Sequence, residues 1–133
     1  MENFKIEGDF QGNAAKINFT LVIMQFVDEN NIHFLYSPHL DLTGYGTTAE
    51  EAGESFNEAL GEFLDYTTKK RTLGKVLVGL GWQLKGKVKN PKKLNAPSMS
   101  EVMKRNNYVS EVFDKYPVHT YRQNVGMPTA AFA

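Results

Sequence analysis

An amphipathic helix that begins at Thr48 is the feature that most constrains the fold of this chain. Thr48-Ala49-Glu50-Glu51 has the form of a capping box, in which Thr48 accepts from the amide of Glu51 and Glu51 reaches back. The following residues repeat at helical spacing and make one apolar stripe, which consists of Ala52, Phe56, Ala59, Leu60, Phe63 and Leu64. Because a helix of this kind buries its stripe against other elements, the rest of the chain must supply an apolar surface.

The segment before this helix is typical of β-strands. Residues 15–28 are rich in β-branched and aromatic side chains that alternate between two faces. Turn-forming residues follow at 28–31, and Ile32 to Tyr36 has the composition of a second strand, so an antiparallel hairpin is predicted. A short third strand is predicted from about Leu40 to Tyr45. The predicted fold class is therefore α+β, with an antiparallel sheet packed against an amphipathic helix.

The middle of the chain predicts a short helix followed by a basic strand. Leu73 to Leu80 carries apolar residues at helical spacing, and Gly81 stands where a C-terminal cap is expected. From Trp82 the period changes to two, which is typical of a strand with lysines on its outer face. Residues 90–97 are predicted to form a loop because of their proline and asparagine content.

The C-terminal part predicts one more helical region and a last strand. Ser98-Met99-Ser100-Glu101 is a second capping box, and it opens a helix that Asn106-Asn107 interrupts. Residues 118–127 form an extended segment that we expect to complete the chain's own sheet. The 133 residues therefore predict a single domain, 1–133, with a core at 15–66 and a C-terminal elaboration at 67–133.

The net charge of zero hides a segregation of charge along the chain. Residues 1–65 contain two basic and twelve acidic side chains, whereas residues 66–100 contain nine basic ones and no acid. This asymmetry favours one surface for a cationic partner and another for an anionic partner. The alternative is that the two segments lie side by side and neutralise each other.

Several classes of protein are disfavoured by composition and motifs. The chain has no cysteine, which excludes disulfides and thiolate chemistry. Its first residues are charged, and the purest apolar run, Leu21 to Met24, is far shorter than the roughly 20 residues that span a bilayer. Nucleotide-binding glycine loops and a nucleophile elbow are absent from the sequence. We therefore expect a cytoplasmic binding protein rather than an enzyme, without catalytic residues, metal or cofactor.

The order of motifs between residues 34 and 60 is more specific than any one of them. Phe34 to Leu40 is followed by Gly44 to Ala52 and then by Glu58-Ala59-Leu60. Within this region a Gly-x-Thr-x-Glu-Glu-Ala pattern is formed by Gly46, Thr48, Glu50, Glu51 and Ala52. A hairpin, a proline-containing turn, this pattern and an amphipathic helix, in that order, resemble the HicB-type antitoxin family over about residues 15–66.

The resemblance implies a partial ribonuclease H-like core and the function of an antitoxin, or of a regulator derived from one. Such a protein binds and neutralises a small basic RNA-cleaving toxin, HicA-like and of double-stranded-RNA-binding type, and is usually a homo-oligomer. The acidic first half suits a basic partner. No helix-turn-helix or ribbon-helix-helix module is recognisable after Lys93. The residues expected at the partner-binding surface are His39, Asp41, Tyr45, Glu50, Glu54 and Glu58.

Two alternatives depend on other residues. A basic strand and its continuation predict nucleic-acid binding, because lysines on one face can follow a phosphate backbone. The lysines concerned are Lys85, Lys87, Lys89, Lys92 and Lys93. The less favoured alternative is a metal-dependent hydrolase that uses His33, His39 and Asp41, with His39 and Asp41 on one face of a strand.

Overall fold

The computed structural model describes residues 3–5, 16–87, 90–128 and 132. For Lys16, Lys87, Asn90, Lys92, Pro128 and residues 3–5 it gives the strand placement alone. The elements are, in chain order, β1 (Asn3–Lys5), β2 (Lys16–Val27), β3 (His33–Ser37), β4 (Leu42–Gly46), α1 (Ala49–Lys69), α2 (Leu73–Gly79), β5 (Gln83–Lys87), β6 (Asn90–Asn95), α3 (Met99–Arg105), α4 (Asn107–Lys115) and β7 (His119–Pro128). Among these helices, none is both long enough and apolar enough to cross a membrane.

The main sheet has the order β1-β7-β2-β3-β4. The four strands from β7 to β4 are antiparallel, and β1 adds to the edge parallel to β7. The predicted hairpin and third strand are therefore present, and the fold is α+β. The last strand, β7, lies beside β2 along its length, from Lys16 opposite Pro128 to Gln25 opposite His119. This arrangement confirms that the C-terminal segment completes the chain's own sheet.

Helix α1 begins with the predicted cap. The Glu51 amide donates to Thr48 Oγ1 at 3.1 Å, and Glu51 Oε2 accepts from the amide and hydroxyl of Thr47 at 2.8 and 2.6 Å. The glutamate thus reaches the residue before the N-cap, because Thr47 offers two donors there. One face of the helix is buried against the sheet through Ala52, Phe56, Leu60, Leu64 and Thr67.

Helix α1 lies so close to β4 that two strand glycines have no room for a side chain. A Cβ atom on Gly44 would lie against the Phe56 amide nitrogen and 2.5 Å from Phe56 Cα. A Cβ atom on Gly46 would meet Glu51 Cβ and lie 2.9 Å from the Ala52 amide nitrogen. Glycine therefore sets the distance between the helix and the strand at this contact.

The two faces of the sheet are covered by different parts of the chain. Alternate residues of β2, such as Leu21 and Ile23, join α1, α2 and the β5–β6 hairpin in one buried cluster that also includes Val125 and Phe132. The intervening residues Met24 and Phe26 pack with α3 and α4 in a second cluster. The first cluster draws on both the 15–66 segment and the 67–133 segment.

Helix α2 ends as predicted, at a left-handed glycine. Gly81 has φ of +94°, its amide donates to the Val78 carbonyl, and the Trp82 amide donates to the Leu77 carbonyl. These two bonds define a Schellman motif, which turns the chain into β5. Trp82 and Leu77, the two positions at which the motif typically has a hydrophobic contact, are both buried in the first cluster.

The prediction of a loop at 90–97 is wrong for most of that segment. Residues 90–95 form β6, which pairs with β5 in a two-stranded antiparallel sheet. Pro91 lies opposite Gly86, where the register shifts and Gly86 adopts a φ of +95°. Proline is tolerated in a strand at such an irregularity because no ladder hydrogen bond needs its missing N–H.

Candidate functional site

The exposed side of α1 carries a set of carboxylates that we call the acidic face. It consists of Glu50, Glu51, Glu54, Glu58, Glu62 and Asp65, all of them exposed. They lie opposite the buried stripe because their spacing follows the helical period. In the part of the chain that the structure describes, Asp65 forms the one ion pair, with Lys69 at 3.0 Å within the same helix.

The ion pairs show whether the acidic and basic segments of the chain neutralise each other. Apart from Lys69, exposed lysines of the basic segment, including Lys75, Lys85 and Lys93, make no ion pair with the acidic face among the described residues. Direct pairing with the basic segment therefore neutralises Asp65 at the end of the helix and leaves the glutamates of the acidic face unpaired. Clustered like charges that lack local counter-charges repel one another and favour the approach of an oppositely charged partner.

Glu50 differs from the other residues of the Gly-x-Thr-x-Glu-Glu-Ala pattern. Gly46 and Ala52 allow the close helix–strand contact, while Thr48 and Glu51 form the cap. Glu50 is exposed, makes no cap hydrogen bond, and lies at the wall of a groove. Its negative charge suits the first turn of a helix, but its side chain is also free to contact a partner.

The groove lies between the N-terminal half of α1 and the sheet and has a volume of about 580 Å³. Leu35 and Gly53 contribute apolar surface, and polar groups come from Gln25, Glu50, Glu54, Asn57 and Tyr121. Two carboxylates, two amides and a phenol provide many acceptors around one opening. This chemistry suits a donor-rich cationic side chain such as lysine or arginine.

Of the other residues predicted for the partner-binding surface, Glu58 lies on the acidic face outside the groove, and three lie outside both the groove and the acidic face. Tyr45 is 63% exposed at the β4 edge, with its ring 6.2 Å from that of Phe34. Asp41 is exposed in the turn before β4, has a φ of +54°, and accepts from the Tyr36 hydroxyl at 2.6 Å. His39 is 5% exposed, so its predicted contact with a partner is wrong for this conformation.

His39 has a structural role in the junction between the sheet and the second half of the chain. Its Nε2–H donates to the Pro97 carbonyl at 2.9 Å, and its own carbonyl accepts from Trp82 Nε1 at 2.8 Å. These bonds tie the turn after β3 to the residue that precedes β5 and to the segment before α3. The pattern Pro38-His39-Leu40 gave no signal of this burial, because connecting segments usually run over the protein surface.

The residues of the proposed metal site are not brought together. His39 is buried in the core, whereas Asp41 lies exposed beyond a turn, so the expectation that they share a strand face is wrong. Throughout the residues that the structure describes, there is no group of three histidine or acidic side chains suited to holding a metal ion.

The predicted lysine surface lies on the β5–β6 hairpin. Lys85 is directly opposite Lys93 in the register, and both side chains are exposed. Lys87 and Lys92 belong to the same two strands, while Lys89 lies outside the described residues. Like charges directly opposite each other destabilise a strand pair, and an anion placed between the two side chains would relieve that repulsion.

A pH dependence of stability follows from His39. Burial lowers the pKa of His39 below its ordinary value of 6.5, although the hydrogen bond to Pro97 opposes this. The unfolded state therefore binds the proton more readily, so the contribution of His39 to the free energy of unfolding is fully present above pH 6.5 and falls below it, by at most about 1.4 kcal/mol per pH unit. Urea unfolding of wild type and His39→Gln at pH 7.5 and 5.5 measures this.

His39→Gln is expected to lose less stability than wild type over that pH change, because glutamine keeps a donor for Pro97 without titrating. His119→Gln, at an exposed position of β7, serves as the control and should keep the wild-type pH dependence. An unchanged pH dependence in His39→Gln would contradict the neutral, buried state of the imidazole.

The sequence alone did not indicate Gln25, Asn57 or Tyr121 as site residues. Gln25 and Tyr121 reach the groove because β7 lies beside β2. The two strands are about a hundred positions apart in the sequence, so their pairing leaves no local signal. Asn57 is one turn after Gly53 on α1, and the helical period from Glu50 and Glu54 would have placed it on the same side.

Comparison of the chain with protein-family models, with curated proteins and with solved structures gives no match.

Proposed function

We propose that this protein is a HicB-like antitoxin, or a regulator derived from one, that binds and neutralises a small basic RNA-cleaving toxin by protein–protein contact. The observation that carries the proposal is the acidic face of α1, which is exposed and, apart from the Asp65–Lys69 pair, makes no ion pair with the basic segment in the described residues. A basic partner would bury these carboxylates against its own cations, and charge complementarity would speed their encounter.

The local architecture supports the resemblance to this family. Strands β2, β3 and β4 form an antiparallel unit that leads directly into α1, in the order that a HicB-like, partial ribonuclease H-like core requires. Four of the five pattern residues have a structural reason for their identity, in the cap or in the close helix–strand contact. These four residues therefore determine the local fold, and Glu50 is the residue of the pattern that we expect to contact the partner.

The groove beside α1 is the most specific part of the proposed surface. Glu50 and Glu54 lie one turn apart on its wall, with Asn57 on the following turn and Gln25 and Tyr121 across from them. We expect a lysine or arginine of the toxin to enter here, while Glu58 and Glu62 contact further basic residues at the rim. Rim charges act mainly on association rate and its salt dependence.

Charge reversal tests this surface. The triple variant Glu50→Lys, Glu54→Lys, Glu58→Lys is expected to weaken binding of the partner about 100-fold or more, because attraction is replaced by repulsion at three positions. The measurement is a pull-down from the native host at moderate salt, followed by titration calorimetry with the purified partner. A toxin is identified by its RNA cleavage and by loss of that activity when this protein is added.

The matched control changes the net charge by the same amount elsewhere. Ser100, Glu101, Asn107 and Asp114 are exposed on α3 and α4, which cover the opposite face of the sheet. Their simultaneous replacement by lysine should leave partner affinity within a few-fold of wild type. Equal loss in this variant and in the triple variant would mean that net charge alone, and not the acidic face, determines binding.

Nucleic-acid binding through the β5–β6 hairpin is the second candidate function, and the opposition of Lys85 and Lys93 favours it. Recovery of nucleic acid without a protein partner in the same pull-down would support this candidate over the first. Its affinity should fall steeply with salt, since each phosphate contact releases a condensed counterion. Replacement of Lys85 and Lys93 by glutamine should reduce both the affinity and the salt dependence.

A further inference from the structure

A second pocket lies on the other face of the sheet, between the tip of the β2–β3 hairpin and α4. Its volume is about 160 Å³, well below the range of about 300–1,000 Å³ that drug-sized ligands occupy. Four aromatic side chains line it, namely Phe26, Phe34, Tyr108 and Tyr116, and two carboxylates, Asp28 and Glu111, stand beside them. A site of this size admits a single head group rather than a large molecule.

The rings are held in a fixed arrangement. Phe26 stacks on Phe34 with centroids 5.2 Å apart and on Tyr116 with centroids 5.4 Å apart, both with interplanar angles of 15°. Tyr108 is held at 5.1 Å, edge to face, against the buried Tyr36. The Tyr116 hydroxyl donates to Glu29 Oε2 at 2.5 Å, which anchors the ring at the pocket. These contacts limit reorganisation when a ligand enters.

The charges around the pocket favour a cation. Asp28, Glu29 and Glu111 surround the rings, and Lys115 is the basic residue that lines the cavity. The hydrogen bond from Tyr116 lowers the pKa of Glu29 below its ordinary value of 4.5 and raises the pKa of Tyr116 to about 12. The carboxylate and the neutral phenol are therefore the forms present at neutral pH.

The protein itself already places an ammonium group over one of these rings. Lys115 Nζ lies 5.8 Å from the centroid of Tyr116, within the distance at which an aromatic face attracts a cation. Lys115 is exposed, so its flexible side chain can leave the ring at little cost. Its position shows which ligand chemistry this wall accepts.

We propose that this pocket binds a compact organic cation, an ammonium or guanidinium group on an apolar stem. The aromatic faces would hold the cation and its alkyl groups, and the carboxylates of Asp28 and Glu111 would balance its charge. Two sources offer this chemistry: a free quaternary ammonium compound, and a lysine or arginine side chain of another protein. Lys115 competes with either of them for the Tyr116 ring.

Titration of the full chain followed by NMR of its aromatic resonances tests the proposal. The probes are choline, its neutral isostere 3,3-dimethylbutan-1-ol, and the N-acetyl methylamides of lysine and arginine. Cations should shift the signals of Tyr108 and Tyr116 and bind at least tenfold more tightly than the neutral alcohol. Tighter binding of choline identifies the free compound as the source, and tighter binding of an amino-acid derivative identifies a side chain.

Variants separate the pocket from general surface effects. Tyr116→Leu should weaken cation binding at least tenfold, and Glu111→Gln, which leaves every ring in place, should weaken it several-fold. Lys115→Gln should tighten binding several-fold because the internal competitor is gone. Tyr66→Leu is the control, since Tyr66 is 63% exposed with Lys70 Nζ 5.9 Å from its ring but lines no such pocket.

Equal binding of the neutral alcohol, or cation affinity unchanged in both Glu111→Gln and Lys115→Gln, would overturn the proposal. So would the absence of any shift at Tyr108 and Tyr116 with all three cations.

Discussion

Replacement of Gly44 by alanine is expected to lower the free energy of unfolding by about 3 kcal/mol or more. The added Cβ would lie against the Phe56 amide nitrogen and 2.5 Å from Phe56 Cα. Because the obstacle is helix backbone and not the end of a flexible side chain, α1 must move away from β4 to admit one methyl group. That movement would open the packing of Phe56, which is 1% exposed.

The same substitution at Gly53 provides a matched control within α1. A Cβ atom there meets nothing within 4 Å, and alanine is favoured over glycine in a helix by about 1 kcal/mol. Gly53→Ala should therefore stabilise the protein while Gly44→Ala destabilises it, as measured by urea unfolding followed by circular dichroism. A Gly44→Ala variant as stable as wild type would contradict the close helix–strand contact.

Replacement of Trp82 by alanine is expected to cost about 3–5 kcal/mol of unfolding free energy. The side chain is 2% exposed, packs edge to face on Phe19 with centroids 5.2 Å apart, and donates to the His39 carbonyl at 2.8 Å. Truncation would leave a cavity and an unsatisfied carbonyl at the same place. It would also remove the contact that anchors the start of the β5–β6 hairpin to the main sheet.

Trp82→Phe separates these contributions because it keeps an aromatic ring but removes the indole N–H. It should cost about 1–3 kcal/mol, the range for a buried acceptor left without its donor, together with a smaller packing loss. Circular dichroism is the appropriate probe, since the chain has one tryptophan and both variants lack it. A loss below about 1 kcal/mol in Trp82→Ala would show that the hairpin does not depend on this anchor.

The elements that could be predicted from the sequence are those with strong local signals. The Thr48 and Ser98 caps, the left-handed Gly81 and the break at Asn106 each depend on residues a few positions apart, and all four are present. The β2–β3 hairpin is another such case, because its turn residues and strand periods are contiguous. Local chemistry is sufficient for these features since the interactions concerned close over one turn.

The features that could not be predicted depend on distant contacts. Strand β6 contains Pro91 and Asn90, which are typical of loops, and it forms because the Gly86 irregularity in β5 accommodates the proline. His39 is buried because Trp82 and Pro97 come to it from over forty residues away. The sequence likewise predicts that β7 belongs to the main sheet, but it does not predict that the neighbours of β7 are β1 and β2.

The candidate site divides in the same way. The carboxylates Glu50, Glu54 and Glu58 follow from helical spacing within α1, so the acidic face was predictable. The opposite wall of the groove, Gln25 and Tyr121, depends on the β2–β7 pairing. The aromatic pocket forms only where the tip of the β2–β3 hairpin meets α4. There Phe26 stacks on both Phe34 and Tyr116.

Site-specific photo-cross-linking tests the central claim most directly. A photoreactive amino acid at Asn57, exposed at the groove beside α1, should give a covalent adduct with one small basic protein in the native host. The same residue at Asp114, on the opposite side of the sheet, should give no such adduct. Adducts of equal yield at both positions, or an adduct at Asn57 with nucleic acid only, would contradict the assignment of the acidic face to a basic protein partner.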